Sequence, residues 1–322
     1  MKAIVQDRFG PPEVLEFREV DEPKVGDTDV LVRVRAASVN PADWYLMMGV
    51  PWVARPQMGL RRPRTTRLGV DLAGVVEAVG GNVTRFKAGD EVFGTGAGTL
   101  AEYVAVAEDT LAPKPAKLSF EQAAAVPVAG LTALQGLRDK GRLQPGQQVL
   151  INGASGGVGT FAVQLAKALG AEVTGVCSTR NLDLAGSLGA DRVIDYTQED
   201  FTRTDRRHDL LLDVAGSRPW SACRRVLTPQ GRLVLVGAPK GSRLLGPLGH
   251  IVKVRLASLR ASQTVVFFVS KARHQDLVAL AELLEAGKVT PVVERSYALS
   301  EAADALRHLG AGHAQGKLVA VA

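Results

Sequence analysis

A glycine-rich turn between an apolar strand and a helix constrains the fold of this chain most strongly. Residues 149–152 (Val-Leu-Ile-Asn) have the apolar character of a buried strand, and residues 161–169 follow with a helical pattern. Between them lies Gly-Ala-Ser-Gly-Gly-Val-Gly at 153–159. This order places backbone N–H groups at a helix N-terminus, where the pyrophosphate of a dinucleotide can bind. The residues expected to line the site are Gly153, Ser155, Gly156, Gly157 and Val158. The alternative is a purely structural strand-to-helix turn, which also uses glycine.

The secondary-structure pattern changes near residue 120 and predicts two domains. A chain of 322 residues exceeds the usual size of one hydrophobic core. Before about residue 118, short β-rich segments alternate with Gly, Pro and Asp, which predicts a mostly antiparallel, barrel-like domain. Residues 121–272 instead alternate strands and helices, the pattern of a parallel sheet. The strands predicted there are 148–152, 172–177, 192–195, 209–214, 232–236 and 265–269. Beyond them we expect a helix at 275–286, a strand at 289–293, a helix at 300–309 and a strand at 317–321.

Composition and charge exclude several classes of protein. The two cysteines, Cys177 and Cys223, are too few for a disulfide framework or a four-thiolate zinc site. No apolar run approaches the length that spans a bilayer, and the first residues do not resemble a signal peptide. We therefore expect a cytoplasmic protein with no membrane partner.

The net charge of +6 includes a local excess of arginine in the segment 50–68. The arginines of this segment are Arg55, Arg61, Arg62, Arg64 and Arg67. Because no aromatic residues are interleaved with them, we interpret the segment as a solvated basic loop and expect no nucleic-acid partner. Its length also allows it to select an acidic or bulky ligand, or only to shield a cleft.

The residues after the second strand of the parallel sheet bear on cofactor choice. This position carries an acidic residue when the ribose of NAD is bound, but the sequence here is Ser178-Thr179-Arg180-Asn181, with no carboxylate before Asp183. Two hydroxyls and a guanidinium attract a 2′-phosphate. The sequence therefore favours NADPH over NADH. The alternative is that Arg180 is an exposed first-turn residue of the next helix.

Four ordered motifs carry a resemblance to a known family. They are Ala-Ala-Ser-Val-Asn-Pro-Ala-Asp at 36–43, Gly-Val-Asp-Leu-Ala-Gly-Val-Val at 69–76, Gly-Asp-Glu-Val-Phe-Gly at 89–94 and Gly-Leu-Thr-Ala at 130–133. Over essentially its whole length the chain resembles the medium-chain dehydrogenase/reductase superfamily, and within it the zinc-free quinone oxidoreductases. The resemblance implies an α/β fold in which both chain ends, 1–120 and 273–322, form a GroES-like catalytic domain. A doubly wound Rossmann domain, 121–272, is inserted between them.

The same resemblance implies whether zinc is bound and which reaction is expected. Zinc-dependent members carry cysteine where Asn40 stands and a His-Glu pair where Val70-Asp71 stands. Asn40 and Val70 are not plausible zinc ligands, so we expect no catalytic metal. Without a Lewis acid, the expected reaction is hydride transfer from NADPH to an acceptor that is already electron-poor, a quinone or an α,β-unsaturated carbonyl.

The resemblance also implies roles for individual residues. Asn40, Asp43 and Tyr45 would lie near the nicotinamide, with the Tyr45 phenol bonding or protonating the substrate. Asn40 and Asp43 have an alternative role as caps of a short helix. Further cofactor contacts are implied for Thr132, Tyr196, Gly237, Phe267, Phe268 and Lys317. The two phenylalanines have an alternative role at the interface of a homodimer, since family dimers pair that strand.

The sequence lacks the motifs of two other nucleotide-binding enzyme classes. A short-chain dehydrogenase requires Tyr-x-x-x-Lys, and a P-loop NTPase requires Gly-Lys-Ser/Thr after its glycines; neither motif is present. The remaining alternative is an NADPH-binding, zeta-crystallin-like protein with an RNA-binding or other non-enzymatic role.

Overall fold

The computed structural model describes residues 1–237, 244–246, 248–312 and 314–322. The chain divides into two compact units. Unit 1 comprises Met1–Leu131, Ala272–Gly287 and Pro291–Ala322, and unit 2 comprises Thr132–Lys271 and Lys288–Thr290.

Unit 1 is built on strands because its apolar residues alternate along the chain. In the segment Asp29–Ser38, Val30, Val32 and Val34 are buried while Arg33 and Arg35 face solvent. The strands of unit 1 are β1 (Lys2–Gln6), β2 (Leu15–Glu19), β3 (Asp29–Ser38), β4 (Asp71–Val79), β5 (Glu91–Thr95), β6 (Tyr103–Ala107) and β7 (Leu111–Pro113), with β14 (Val293–Ala298) and β15 (Lys317–Val321) from the end of the chain. Among the described residues, seven of them form one sheet in the order β14-β15-β3-β4-β5-β7; β6 also pairs with β3, and β1 and β2 form a separate ribbon.

Short helices accompany this sheet. They are α1 (Pro41–Met48), α2 (Arg55–Met58), α3 (Phe120–Ala124), α9 (His274–Glu285) and α10 (Ala302–Ala311), with α4 (Pro127–Leu134) leading into unit 2. Helix α3 packs on β3 and β4, and the chain leaves unit 1 within α4.

Unit 2 contains a parallel sheet covered by helices. Its strands are β8 (Gln148–Asn152), β9 (Glu172–Cys177), β10 (Arg192–Asp195), β11 (His208–Asp213), β12 (Leu227–Leu235) and β13 (Thr264–Phe267). Its helices are the C-terminal residues of α4, then α5 (Gly157–Ala168), α6 (Leu182–Ser187), α7 (Trp220–Cys223) and α8 (Leu248–Ala257). The six strands found in the described part of this unit run parallel in the order β10-β9-β8-β11-β12-β13.

The chain reverses the direction of sheet growth between β8 and β11. Such a switch point opens a crevice at the carboxyl ends of the two strands, where ligands of this fold bind. The predicted fold class, a GroES-like β-rich domain with an inserted Rossmann domain, is confirmed.

One predicted strand is placed differently. The strand expected at 289–293 begins only at Val293, as β14. Both backbone groups of Thr290 bond the Gln164 side chain, N–H to Oε1 at 2.8 Å and carbonyl to Nε2 at 3.0 Å, and Pro291 has no N–H for a sheet. Within the described ranges, no helix has both the length and the apolar character needed to cross a membrane.

Candidate functional site

The glycine loop of unit 2 leaves room for a ligand at the start of α5. Gly156 caps the helix with an ordinary backbone conformation (φ −81°), so glycine is not required there by the backbone. A Cβ at this position would have only the Gly153 carbonyl oxygen nearby, at 3.7 Å. The missing side chain therefore opens space at the helix N-terminus, where the first N–H groups have no intrahelical acceptor. The loop residues fit a pyrophosphate.

Two other glycines of the loop are needed by the backbone. Gly153 has φ of +94°, the left-handed region that favours glycine. A Cβ on Gly159 would lie 2.0 Å from the Gly153 carbonyl oxygen, so only glycine lets α5 approach the loop this closely. The turn is thus fixed by these two residues, while Gly156 provides the opening.

Asn181 ties the loop to the end of β9. Its side-chain amide donates to Ser155 Oγ at 2.8 Å and to Ser178 Oγ at 3.2 Å. Asn181 is buried, whereas Thr179 and Arg180 are exposed and Ser178 is half-buried. The structure therefore gives Asn181 a role in holding the site and leaves Ser178, Thr179 and Arg180 at its edge.

An acidic residue that the sequence analysis missed lies beside Thr179. The Thr179 hydroxyl donates to Asp195 Oδ2 at 2.5 Å and contacts Thr197 Oγ1 at 2.9 Å. The Thr179 hydrogen bond holds the pKa of Asp195 below its usual value. Asp195 comes from the neighbouring strand β10, so it does not appear among the residues that follow β9 in the sequence. Tyr196, the next residue, is 53% exposed.

The buried carboxylate of Asp213 lies at the switch point of the sheet, and the sequence analysis did not identify it either. Asp213 Oδ1 accepts from Asn152 Nδ2 at 2.7 Å and from the Gly216 N–H at 2.8 Å. Burial raises the pKa of Asp213 to about 6, against the lowering effect of these two donors. The signal in the sequence is a polar residue ending each of two apolar strands, Asn152 on β8 and Asp213 on β11.

The other expected cofactor contacts of unit 2 lie at strand ends and at the C-terminal end of α4. Thr132 Oγ1 bonds Ser270 Oγ at 2.8 Å. Gly237 follows β12, and a Cβ there would lie 1.9 Å from the Val214 carbonyl oxygen, so the two backbones are in close contact. Phe268 packs near Gly136, while Phe267 is 42% exposed. Their roles toward a cofactor stay predictions.

Unit 1 contains a buried polar cluster around Asp71. Asp71 Oδ2 accepts from Ser38 Oγ at 2.7 Å, from Asn40 Nδ2 at 2.9 Å and from Lys317 Nζ at 3.2 Å. Lys317 also donates to Asn40 Oδ1 at 2.5 Å, and its side chain is only 5% exposed. The cofactor contact expected for Lys317 stays a prediction. Its ammonium is the cation that Asp71 and Asn40 bind.

Asp43 belongs to the same region but acts as a helix cap. It follows Asn40 by three residues and accepts from the Asn40 N–H at 2.8 Å, at the start of α1. Its other oxygen accepts from the Gly69 N–H at 3.1 Å. Burial raises the pKa of Asp43 to about 7, and the nearby charge of Asp71 adds to this. The structure thus shows Asp43 in the capping role, whereas the Asn40 side chain bonds Asp71 and Lys317. The place near the nicotinamide expected for both residues stays a prediction.

Tyr45 lies on α1, two residues beyond Asp43. It is half-buried, and this burial raises the pKa of its phenol, which therefore stays protonated at neutral pH. A protonated phenol is a hydrogen-bond donor.

The arginine-rich segment is partly folded. Arg55 begins α2, donates to the Gly49 carbonyl at 3.0 Å and lies over the Phe9 ring at 4.9 Å. Arg61, Arg62 and Arg64 are exposed. The described residues contain no cluster of three His, Cys, Asp or Glu side chains that could hold a metal ion. Both cysteines are buried, which raises their pKa to about 11 for Cys177 and about 12 for Cys223.

A GroES-like unit and a Rossmann-type unit with a phosphate-binding glycine loop define the medium-chain dehydrogenases/reductases, NAD(P)H-dependent oxidoreductases. Family models agree: an alcohol dehydrogenase GroES-like domain matches residues 26–116, and a zinc-binding dehydrogenase matches residues 188–319.

Individual relatives identify the branch of this superfamily to which the chain belongs. The mitochondrial NAD(P)H oxidoreductase RTN4IP1 of Mus musculus is 35% identical, over 99% of this chain and 88% of its own. The quinone oxidoreductase of Coxiella burnetii superposes with a TM-score of 0.87 at 33% identity, covering 100% of this chain and 99% of the other. The Escherichia coli quinone oxidoreductase complexed with NADPH superposes with a TM-score of 0.84 at 26% identity, and the match covers 100% of both chains. The chain belongs to the zinc-free quinone oxidoreductase family of medium-chain dehydrogenases/reductases.

Proposed function

We propose that this oxidoreductase is a zinc-independent, NADPH-dependent reductase of quinones or α,β-unsaturated carbonyls. The observation that carries the proposal is the Asp71 cluster. Zinc-dependent members have cysteine at the position of Asn40 and a His-Glu pair at the positions of Val70 and Asp71. Here the Asn40 and Asp71 side chains bind the Lys317 ammonium instead. A reductase without a Lewis acid needs an acceptor that is electron-poor before it binds.

The glycine loop would hold the pyrophosphate, with the N-terminus of α5 and the opening at Gly156 as its binding features. When bound, the nicotinamide supplies a hydride to the acceptor. Tyr45 contributes a phenol that stays protonated and can donate to an acceptor oxygen as negative charge develops on it.

The preference for NADPH rests on Arg180 and Ser178. The exposed guanidinium of Arg180, just after β9, can pair with a 2′-phosphate. The Ser178 hydroxyl accepts a hydrogen bond from Asn181 and can donate its own proton to the phosphate. Thr179 contributes less than expected, since its hydroxyl donates to Asp195. The relative from Escherichia coli, named as complexed with NADPH, supports the same choice.

The test is a cofactor-oxidation screen of the purified protein against quinones, enones, aldehydes and simple alcohols, with NADPH and NADH in parallel and with and without a chelator. We expect turnover of quinones or enones, a preference for NADPH and no effect of the chelator. A strong preference for NADH would overturn the cofactor assignment. Loss of activity on chelation would overturn the zinc-independent mechanism.

The RNA-binding alternative is favoured by one observation, the exposed Arg61, Arg62 and Arg64. It predicts salt-dependent retention of RNA that NADPH weakens, in a protein that turns over neither quinones nor enones. The homodimer and the cytoplasmic location remain proposals.

A further inference from the structure

Helix α8 of unit 2 presents a stripe of large apolar side chains to solvent. The stripe consists of Leu248, Val252, Leu256 and Leu259, which are 43%, 54%, 63% and 70% exposed. Their spacing of four, four and three residues puts them on one side of the helix and of the turn that follows it. The opposite side is buried at Val254 and Ser258. The helix therefore packs on unit 2 through one face and leaves an apolar face uncovered.

Positive charges flank this α8 stripe. Lys253 and Arg260 lie on one side of it and Arg255 on the other, and all three are exposed. Arg255 donates to the Val265 carbonyl of β13 at 2.7 Å, so Lys253 and Arg260 are the cations tested below. The surrounding sequence is devoid of negative charge: residues 214–275 contain eleven Lys and Arg and no Asp or Glu, although the whole chain has 33 Asp and Glu.

The occupant of such a surface must be both apolar and anionic. A second copy docked by the same face would bring Lys253, Arg255 and Arg260 of both copies together, which is repulsive. A nucleic acid would satisfy the charges but leave the leucines in contact with polar phosphate and water. An anionic lipid surface satisfies both, because leucines enter the acyl boundary while flanking cations reach the headgroups.

We propose that this protein docks on anionic membrane surfaces through the α8 stripe. A helix of ten residues is too short to span a bilayer, but it can lie in the headgroup region with its axis parallel to the surface. The sequence-based expectation of no membrane partner considered spanning segments, and a docked surface helix needs none.

The test is co-sedimentation with vesicles of phosphatidylcholine alone or with 30% phosphatidylglycerol. We expect binding only to the anionic vesicles. The double variant Val252→Glu/Leu256→Glu should lose detectable binding. Lys253→Gln/Arg260→Gln should bind about twentyfold more weakly, because each cation near an anionic surface contributes on the order of fivefold in affinity.

Matched controls come from unit 1. Phe17→Glu/Val25→Glu changes two exposed apolar residues, 42% and 37% exposed, and Arg61→Gln/Arg62→Gln removes two exposed charges. Both should bind vesicles like the unaltered protein. The proposal is overturned if the unaltered protein does not bind, if the controls weaken binding as much, or if light scattering shows that Val252→Glu/Leu256→Glu dissociates an oligomer. Since vesicle binding does not require turnover, its failure leaves the proposed reductase activity untouched.

Discussion

Asp71 is a carboxylate with no exposure to solvent, and the residues around it explain how it is tolerated. A buried charge is costly unless it is paired and fully hydrogen-bonded. Asp71 receives the Ser38 hydroxyl, the Asn40 amide and the Lys317 ammonium on Oδ2, and the Val128 N–H on Oδ1. The resemblance pointed to Asn40 and Lys317 as site residues, but the sequence did not reveal that both bond Asp71, because the Lys317–Asp71 pairing joins residues 246 positions apart.

Removing the ammonium should therefore destabilise the protein strongly. We expect Lys317→Met to lower the free energy of unfolding by about 3–5 kcal/mol, because Asp71 is left buried and uncompensated. Lys87→Met, which breaks an exposed pair with Asp90, should cost less than about 1 kcal/mol. Urea unfolding measures both. In the double variant Lys317→Met/Asp71→Leu much of the loss should be recovered; equal costs for Lys317→Met and Lys87→Met would contradict this account.

Tyr45 offers a test of chemistry rather than stability. We expect Tyr45→Phe to lower kcat at least several-fold while the Kd for NADPH stays unchanged, because only the hydroxyl group is removed from a half-buried side chain. Stopped-flow oxidation of NADPH and fluorescence titration separate the two quantities. Unchanged kinetics would remove Tyr45 from the mechanism.

Asp43 should make stability depend on pH near neutrality. Its pKa is raised to about 7 in the folded state from 3.8, so the folded state holds the proton more tightly than the unfolded chain. Its stabilising contribution is therefore complete below about pH 4 and is lost as the pH rises through 7. Between pH 5 and 8, the unfolding free energy should fall by about 2–3 kcal/mol relative to that of Asp43→Asn. The control Asp90→Asn should show no such trend, since the pKa of Asp90 lies below its usual value. Parallel pH profiles for the protein and Asp43→Asn would refute the assignment.

At the scale of elements, features that depend on neighbours in the sequence could be predicted, whereas features that depend on neighbours in space could not. The strand, glycine turn and helix from β8 to α5 were predictable because each residue acts on its own neighbours: Gly153 through φ, Gly159 through close packing. Asp195 was not, because it reaches Thr179 only through the pairing of β9 with β10. For the same reason the sequence did not reveal that Gln164 binds Thr290 and delays β14.

The glycine loop supports a prediction that separates cofactor binding from helix propensity. Gly159→Ala should raise the Kd for NADPH at least tenfold, because its Cβ would lie 2.0 Å from the Gly153 carbonyl oxygen and must displace the loop. Gly186→Ala in α6 is the matched control: it meets nothing within 4 Å, so affinity should hold and stability should rise by about 0.5–1 kcal/mol. Fluorescence titration and thermal unfolding measure the two effects. An unaltered Kd for Gly159→Ala would show that the loop does not carry the pyrophosphate.

At the scale of the whole molecule, the change in secondary-structure pattern near residue 120 predicted two domains. That both chain ends belong to one of these domains was implied only by the family resemblance. Alternating burial in β3 and continuous burial in β8 follow from the sequence, since they reflect sheets with one and two covered faces. The sequence does not show whether the edge strand β13 pairs with a second copy of the protein or lines the cofactor site. Residues 264–269 of β13 and its continuation carry no charge or proline, although free sheet edges are commonly protected by such residues.

Phe267 on this edge distinguishes the two roles that the sequence left open. It is 42% exposed, as is Phe17 on β2 of unit 1, so Phe267→Lys and Phe17→Lys form a matched pair. If two copies pair through β13, Phe267→Lys should convert a dimer into a monomer of 34.1 kDa by light scattering, because it places a charge at the edge, while the Kd for NADPH stays the same. If Phe267 instead lines the nicotinamide, the mass should stay constant and the Kd should rise. Phe17→Lys should change neither. We expect the first result, because an uncharged edge strand with an exposed phenylalanine and with Val269 75% exposed just beyond it is an open template for a second copy.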